Sequence, residues 1–315
     1  MTGRLICCFL CHVAWAAEYE LAGRISPPAK ASVVIYGATT PFTSATRSDP
    51  HGRFRFRRLA AGTYILSIEE LSRGEFRQTI EIGPGTADVK GRVDARIEAD
   101  SRQFEGSGAQ RRGATVSATD LAVPVNAAKE YREAQRFLER RDAAMAVSHL
   151  QQAVHIAPRF SAAWNQLGTI AYQSARYTDA EGYFRNALEA DADAFEPLVN
   201  LGGVLLNLEK PREALDYNLR AVERRPNDAL ANSQLGMSYL ENGDLDMAEK
   251  FLTIAKKIDP AHFSKPQLLL AQIHERRREQ AAAIEELEDY LKRHPDAVEA
   301  ARVKETISRL EAALK

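Results

Sequence analysis

Residues able to do chemistry are sparse in this 315-residue chain, and their spacing excludes most of what they could do. His51, His149, His155, His262, His274 and His294 include no pair at metal-site spacing; His149 and His155 fall on different faces of a helix. His274-Glu275 opens an arginine run and lacks the second histidine of a zinc helix. Asp191-x-Asp193 lacks the glycine and the distal glutamate of a calcium loop. Gly106-x-Gly108 neither follows a strand nor opens a helix, so it is no phosphate loop. There is no nucleophile elbow and no carboxylate dyad. The chain reads as a non-enzyme with no metal or cofactor.

One stretch suggests nucleic acid: Arg53, Arg55, Arg57 and Arg58 interleave with Phe54 and Phe56. A base-stacking platform needs aromatics and cations on one exposed face. In a strand, alternation sends the two phenylalanines to one face and Arg53, Arg55 and Arg57 to the other. The formal net charge is −1, and residues 18–98 hold twelve Lys and Arg against ten Asp and Glu. No basic surplus marks a nucleic-acid partner. Phe54 and Phe56 are assigned to a core.

The cysteines, Cys7, Cys8 and Cys11, all lie in the first seventeen residues. There Arg4 precedes an apolar run from Leu5 to Trp15 and Ala14-Trp15-Ala16, the pattern of a secretory signal peptide (1–16) cut after Ala16. The run is too short for a permanent membrane anchor, which takes about 20 residues. No cysteine follows the small residue that lipidation needs. The expected location is secreted or periplasmic, and the mature chain then has no thiol and no disulfide.

Residues 18–98 alternate with period 2 in seven short segments, 19–25, 32–36, 42–47, 53–59, 63–68, 76–82 and 89–97, separated by Pro, Gly and Asp turns. That density of short strands predicts an all-β sandwich. The run Asp49-x-x-Gly52-x-Phe54-x-Phe56-x-x-Leu59-x-x-Gly62-x-Tyr64-x-Leu66-x-Ile68 resembles the carboxypeptidase regulatory-like domain, a transthyretin-like sandwich of exported bacterial proteins. It departs at Gly23-Arg24-Ile25-Ser26-Pro27-Pro28, where the family's longer opening is shortened. The resemblance implies no peptidase residues. Residues 99–125, with Gly106 to Gly113 polar and glycine-rich, read as a linker in which 115–121 form a short extended segment.

From about Ala127 the pattern turns helical, with a second period of 34 residues. Leu167-Gly168, Leu201-Gly202 and Leu235-Gly236 recur at that interval, as do Ala146, Ala180, Ala214 and Ala248, and Ala153, Ala187, Ala221 and Ala255. Pro158, Pro226 and Pro260 keep the frame. This resembles the tetratricopeptide repeat, with Trp164-x-x-Leu167-Gly168 and Ala180-x-x-x-Phe184-x-x-Ala187 as its cleanest instance. Five repeats fill 126–297: 127–160, 161–194, 195–228, 229–262 and 263–297, the last with one extra residue that places Pro295. Residues 298–315 read as a capping helix. The fold class is therefore multidomain, a transthyretin-like all-β sandwich followed by an all-α solenoid.

The resemblance implies a superhelix whose first helices line a concave groove. The ninth and twelfth places of successive repeats, with Thr169 and Tyr172, Gly203 and Leu206, and Met237 and Leu240, then face inward. Asn165 and Asn200 stand beside them to bond a peptide backbone. Alternatively, these residues pack between neighbouring first helices. The carboxylate-clamp mode is excluded, because its cation places hold Asn165, Leu230 and Ser233. The expected function is a scaffold that binds a protein, as a peptide or helix, in the groove, alone or as part of an envelope complex. The alternative is a glycan- or cell-surface-binding sandwich with Phe42 as its aromatic and the repeats as spacer.

Overall fold

The computed structural model describes residues 18–70, 74–98, 123–294 and 297–314. The expected signal peptide with its cysteines, the polar core of the linker and Pro295 lie outside the described residues.

Seven described strands form two sheets: β1 (Tyr19–Ser26), β2 (Ser32–Gly37), β3 (Thr43–Arg47), β4 (Arg53–Leu59), β5 (Gly62–Glu70), β6 (Gly74–Ile82) and β7 (Arg92–Glu98). One sheet has the order β4-β1-β7, with β1 antiparallel to β4 and parallel to β7. The other runs β3-β2-β5-β6, all antiparallel. The alternating residues Val33, Ile35, Tyr64, Leu66, Ile68 and Ile80 fill the space between them. Phe54 and Phe56 enter the same core, both less than 7% exposed. A Cβ on Gly23 would stand 2.0 Å from the Phe54 ring, so only glycine admits that ring against β1. Arg55 and Arg57 stay outside and flank Glu20 of β1, each at 3.4 Å. The basic cluster is a solvated strand face.

β4 and β7 begin alike. In Asp49-Pro50-His51-Gly52-Arg53 the Asp49 carboxylate accepts the backbone N–H of His51 and Arg53 at 2.8 and 2.9 Å, and Gly52 takes φ +74°. In Asp88-Val89-Lys90-Gly91-Arg92, Asp88 accepts from Lys90 and Arg92 at the same two distances, and Gly91 also has φ +74°. These bonds to the charged form hold both aspartates below the usual carboxylate range, with the Arg53 or Arg92 amide as first cause. The second turn starts β7 at Arg92, three residues later than the alternation of 89–97 predicts.

Eleven described helices follow. The first helices of the five pairs are α1 (Val125–Glu139), α3 (Ser161–Gln173), α5 (Phe195–Asn207), α7 (Ala229–Glu241) and α9 (Pro266–Arg276). The second helices are α2 (Ala143–Ile156), α4 (Tyr177–Ala190), α6 (Pro211–Arg224), α8 (Leu245–Ile258) and α10 (Gln280–Arg293), and α11 (Ala300–Ala313) closes the array. The recurring glycines have one cause. A Cβ at Gly168, Gly202 or Gly236 would lie 2.4, 1.9 or 2.7 Å from the Phe184, Asn218 or Leu252 side chain of the paired helix. Ala146, Ala180, Ala214 and Ala248 are fully buried at the matching close approach.

The turn inside each pair places one residue in the left-handed region at a fixed place: Arg141, Ala175, Glu209, Gly243 and Arg278, with φ between 55° and 87°. Only one is glycine, although a side chain there costs about 1–2 kcal/mol. The fifth repeat departs from the frame. Seven residues, 259–265, separate α8 from α9 where four separate the earlier repeats, and α9 starts at Pro266.

Asn218 is fully buried where other repeats carry Leu150, Phe184, Leu252 and Leu287. It donates to Ser238 Oγ at 2.9 Å, while its Oδ1 finds no partner. Asn218→Ala should cost about 1–3 kcal/mol, whereas Asn218→Leu with Ser238→Val should match or exceed wild type, because removing both polar partners leaves none unsatisfied. Ala175→Gly and Glu209→Gly should each stabilise by about 0.5–1 kcal/mol, and Gly243→Ala should cost about 1–2 kcal/mol. Urea unfolding of each variant measures all of these.

Candidate functional site

The first helices of neighbouring repeats pack on one another (α3 on α5, α5 on α7, α7 on α9), while successive second helices do so far less. The array therefore curves with its first helices inside. Asn165, Thr169 and Tyr172 sit on α3, Asn200, Gly203 and Leu206 on α5, and Met237 and Leu240 on α7. Their environments differ. Asn200 donates to Asn165 Oδ1 at 3.0 Å, and Thr169 Oγ1 donates to the Asn165 carbonyl at 3.0 Å. Tyr172 Oη accepts from Asn207 at 3.0 Å, and its ring packs on Tyr177. Tyr172, Leu206 and Met237 are half-buried.

Leu240 does not line the groove. It is 1% exposed, packed with Leu252, Leu270 and Ile273 because α9 lies directly over it. Gly203 is covered as well: a Cβ there would meet Gln234 Nε2 at 2.4 Å, so the glycine makes room for a neighbouring side chain. The unbroken apolar stripe expected from the spacing is interrupted at both places. Phe42 is not a free loop aromatic either; its ring meets Tyr64 edge-on at 5.8 Å and lies 5.3 Å from the Arg141 guanidinium.

The larger polar site lies between the two halves. β6 is the edge strand of its sheet, and Phe76, Ile80 and Ile82 point into the sandwich core. The alternate residues Glu75, Arg77, Thr79 and Glu81 share the other face, and all four meet the solenoid. Glu75 pairs with Arg225 at 3.0 Å. Arg77 pairs with Glu196 at 2.5 Å and stands 3.9 Å from Asp228. The Thr79 N–H donates to Asp259 Oδ2 at 2.8 Å. Glu81 Oε1 bonds His294 Nδ1 at 2.6 Å.

Arg225, Asp259 and His294 each end the second helix of their repeat, so β6 runs past three successive equivalents of one repeat position. At the other side of the array Gln173 donates to the Gly37 carbonyl at 3.0 Å, and Arg141 donates to the Arg58 carbonyl at 3.2 Å. The sandwich thus bridges from repeats 1 and 2 to repeats 3 to 5.

Charge and ring stacking order this contact. The Phe195 ring meets the guanidinium groups of Arg225, 4.1 Å from its centre, and Arg77, 5.9 Å away. Burial alone would raise Glu75, but Arg77 and Arg225 outweigh it and hold the carboxyl well below its usual range. Burial raises Asp228, and Arg77 only partly offsets this; the same carboxylate caps α7 by accepting the Ala231 N–H at 2.9 Å. Beside it lies a cavity of about 50 Å³ lined by Thr79, Arg225, Asp228, Asp259 and His262. His262 is pushed down to about 4 by burial, with Asp259 pulling it up and His294 pushing it further down.

Sequence reading missed Glu75, Arg77, Thr79, Glu81, Glu196, Arg225, Asp228, Asp259 and His294. On β6 they alternate with core residues and so resemble a solvated face. The usable signal was the recurrence of polar residues at one repeat place. Among the described residues, no group of three His, Cys, Asp or Glu could hold a metal, and no helix is long and apolar enough to cross a membrane.

Comparison with known proteins bears on the helices. Residues 131–195 and 217–250 match family models of the tetratricopeptide repeat. The Homo sapiens cell division cycle protein 16 homolog is 32% identical over 120 residues, which are 35% of this chain and 19% of that protein. The Drosophila melanogaster O-mannosyl-transferase Tmtc3 is 28% identical over 137 residues, 41% of this chain and 15% of that protein. The match thus spans about a fifth or less of these relatives' lengths. Among solved structures, PilW, a type IV pilus biogenesis factor, superposes with a TM-score of 0.51 at 20% identity, covering 61% of this chain and 93% of its own. MamA from Desulfovibrio magneticus RS-1 gives 0.50 at 21%, covering 56% and 99%. These likenesses are of fold.

Two outcomes are expected. Arg77→Ala leaves Arg225 alone to offset Glu75, Glu196 and Asp228 and should cost about 1–3 kcal/mol, discounted for partial solvent access; denaturant unfolding at low and high salt measures it. His262 is held neutral when folded and has an unfolded value of about 6.5. The stability this provides is complete above pH 6.5 and falls as pH drops toward 4, by about 3 kcal/mol. His262→Gln should flatten that part of the stability-against-pH curve.

Proposed function

We propose that this tetratricopeptide-repeat protein is a non-enzymatic, extracytoplasmic scaffold that holds a protein partner against the inner face of its repeats. The carrying observation is the half-buried set Thr169, Tyr172, Leu206 and Met237, with the amides of Asn165, Asn200 and Asn207 beside it. Half-exposed apolar groups next to amides suit a peptide or helix, which needs both apolar anchors and backbone partners. Leu240 and Gly203 are excluded from that set by their burial.

The extracytoplasmic assignment rests on the apolar run of residues 5–15 behind Arg4. The sandwich, 18–98, is proposed to be of the carboxypeptidase regulatory-like type found in exported bacterial proteins. Its seven strands in two sheets and the Asp49 to Ile68 pattern support that reading. The repeats, 126–297, and the cap, 298–315, form the binding half. Participation in an envelope complex follows from the same reading. With Phe42 held under Arg141, the glycan-binding alternative loses its aromatic platform.

The test is affinity capture from the envelope of the source cells with the full mature chain, beside a Tyr172→Ala/Met237→Glu variant shown by circular dichroism to keep its helices. Leu240 is left intact because a charge there would break the core. A protein held by wild type and reduced at least about tenfold by the variant supports the inner face, since losing central anchors typically costs more than 1 kcal/mol. Equal capture by both would remove the inner face as the binding surface.

A further inference from the structure

β6 reaches the solenoid as a ligand reaches a receptor. An edge strand carries a free row of backbone groups, and proteins cover or charge such edges to control what pairs there. Here the Thr79 N–H goes to the Asp259 carboxylate, and the outward side chains on either side go to Arg225 and His294. Arg225 and Asp259 are 34 residues apart and His294 follows 35 later, so one repeat place, the end of the second helix, supplies three contacts in register. Glu196 and Asp228 add an acidic socket for Arg77.

We propose that the ends of α6, α8 and α10 form a strand-recognition site, filled here by the chain's own β6, and that its external ligand is a partner's extended segment with the same acid-x-base-x-x-x-acid alternation. Charge complementarity defines that ligand: Arg225 takes the first acid, Glu196 and Asp228 the base, Asp259 a backbone N–H and His294 the second acid. The outward face of β6 meets the solenoid through ion pairs and hydrogen bonds at Glu75, Arg77, Thr79 and Glu81, the kind of polar contact found in interfaces that open and close. The site is separate from the inner-face set of Tyr172 and Met237, so each can fail without the other.

The probe is a fluorescent peptide of residues 74–82, GEFRQTIEI, titrated by anisotropy into the full-length wild type and a full-length Glu75→Arg/Arg77→Glu/Glu81→Lys variant. These substitutions leave the core-facing Phe76, Ile80 and Ile82 intact, and thermal melts check that both halves remain folded. A tethered occupant acts at an effective concentration of about 1 mM, so the peptide should bind the variant at least about tenfold more tightly than wild type. Small-angle scattering should show the variant expanded. Adding Arg225→Ala and His294→Ala to the variant, which removes both partners without creating a swapped pair, should abolish peptide binding, while Tyr172→Ala/Met237→Glu should leave it unchanged.

Any of these results overturns the proposal: a variant as compact as wild type, a peptide that binds neither chain, a peptide that binds both equally, or binding indifferent to Arg225 and His294. A wild-type dimer dissociated by the peptide would instead assign the site to a second copy's β6, and it too overturns the assignment.

Discussion

The Thr79 N–H points away from β5 to the free edge of its sheet, and Asp259 takes it at 2.8 Å. A buried amide without a partner costs about 1–3 kcal/mol, and an isolated buried carboxylate costs more. Each group therefore needs the other. Because Asp259 ends α8, this bond fixes one point of the sandwich along the solenoid. Glu75 with Arg225 and Glu81 with His294 then fix its direction. With the strand anchored there, the opposite corner reaches Gln173 and Arg141. The relation of the two halves follows from a polar strand face meeting the polar ends of three helices.

The solenoid can offer those ends in register because its repeat is geometrically strict. Gly168, Gly202 and Gly236 let a paired side chain lie directly on the first helix, and fully buried alanines let the two helices approach. The tolerance for a side chain at the left-handed turn position shows that this frame prevails over local preference at Arg141, Ala175, Glu209 and Arg278. Where the frame lengthens, in residues 259–265, the extra turn holds buried His262, bonded to Ser264 and through it to Ser233. That irregularity shapes the cavity beside β6.

Much of the fold was legible because its causes are local. Alternation placed Phe54 and Phe56 in a core, and the 34-residue period placed the helix pairs. Even the start of β7 was encoded, since Asp88-x-x-Gly91-Arg92 repeats Asp49-x-x-Gly52-Arg53. The inner face was legible only in part. Leu240 occupies the same repeat place as Leu206, and only the position of α9 decides that one is core and the other half-exposed. The contact between the halves was hidden for a different reason: polar residues alternating with core residues read alike whether water or another polar surface covers them.

Native-state hydrogen exchange at the Thr79 amide tests the account most directly. An edge amide outside the ladder exchanges rapidly unless something else holds it. Thr79 should be strongly protected in wild type and lose that protection in Asp259→Ala, while the core-side amide of Ile80 stays protected. Rapid exchange at Thr79 in wild type, with Ile80 protected, would contradict it: β6 would be an open edge, and the two halves would not be joined there.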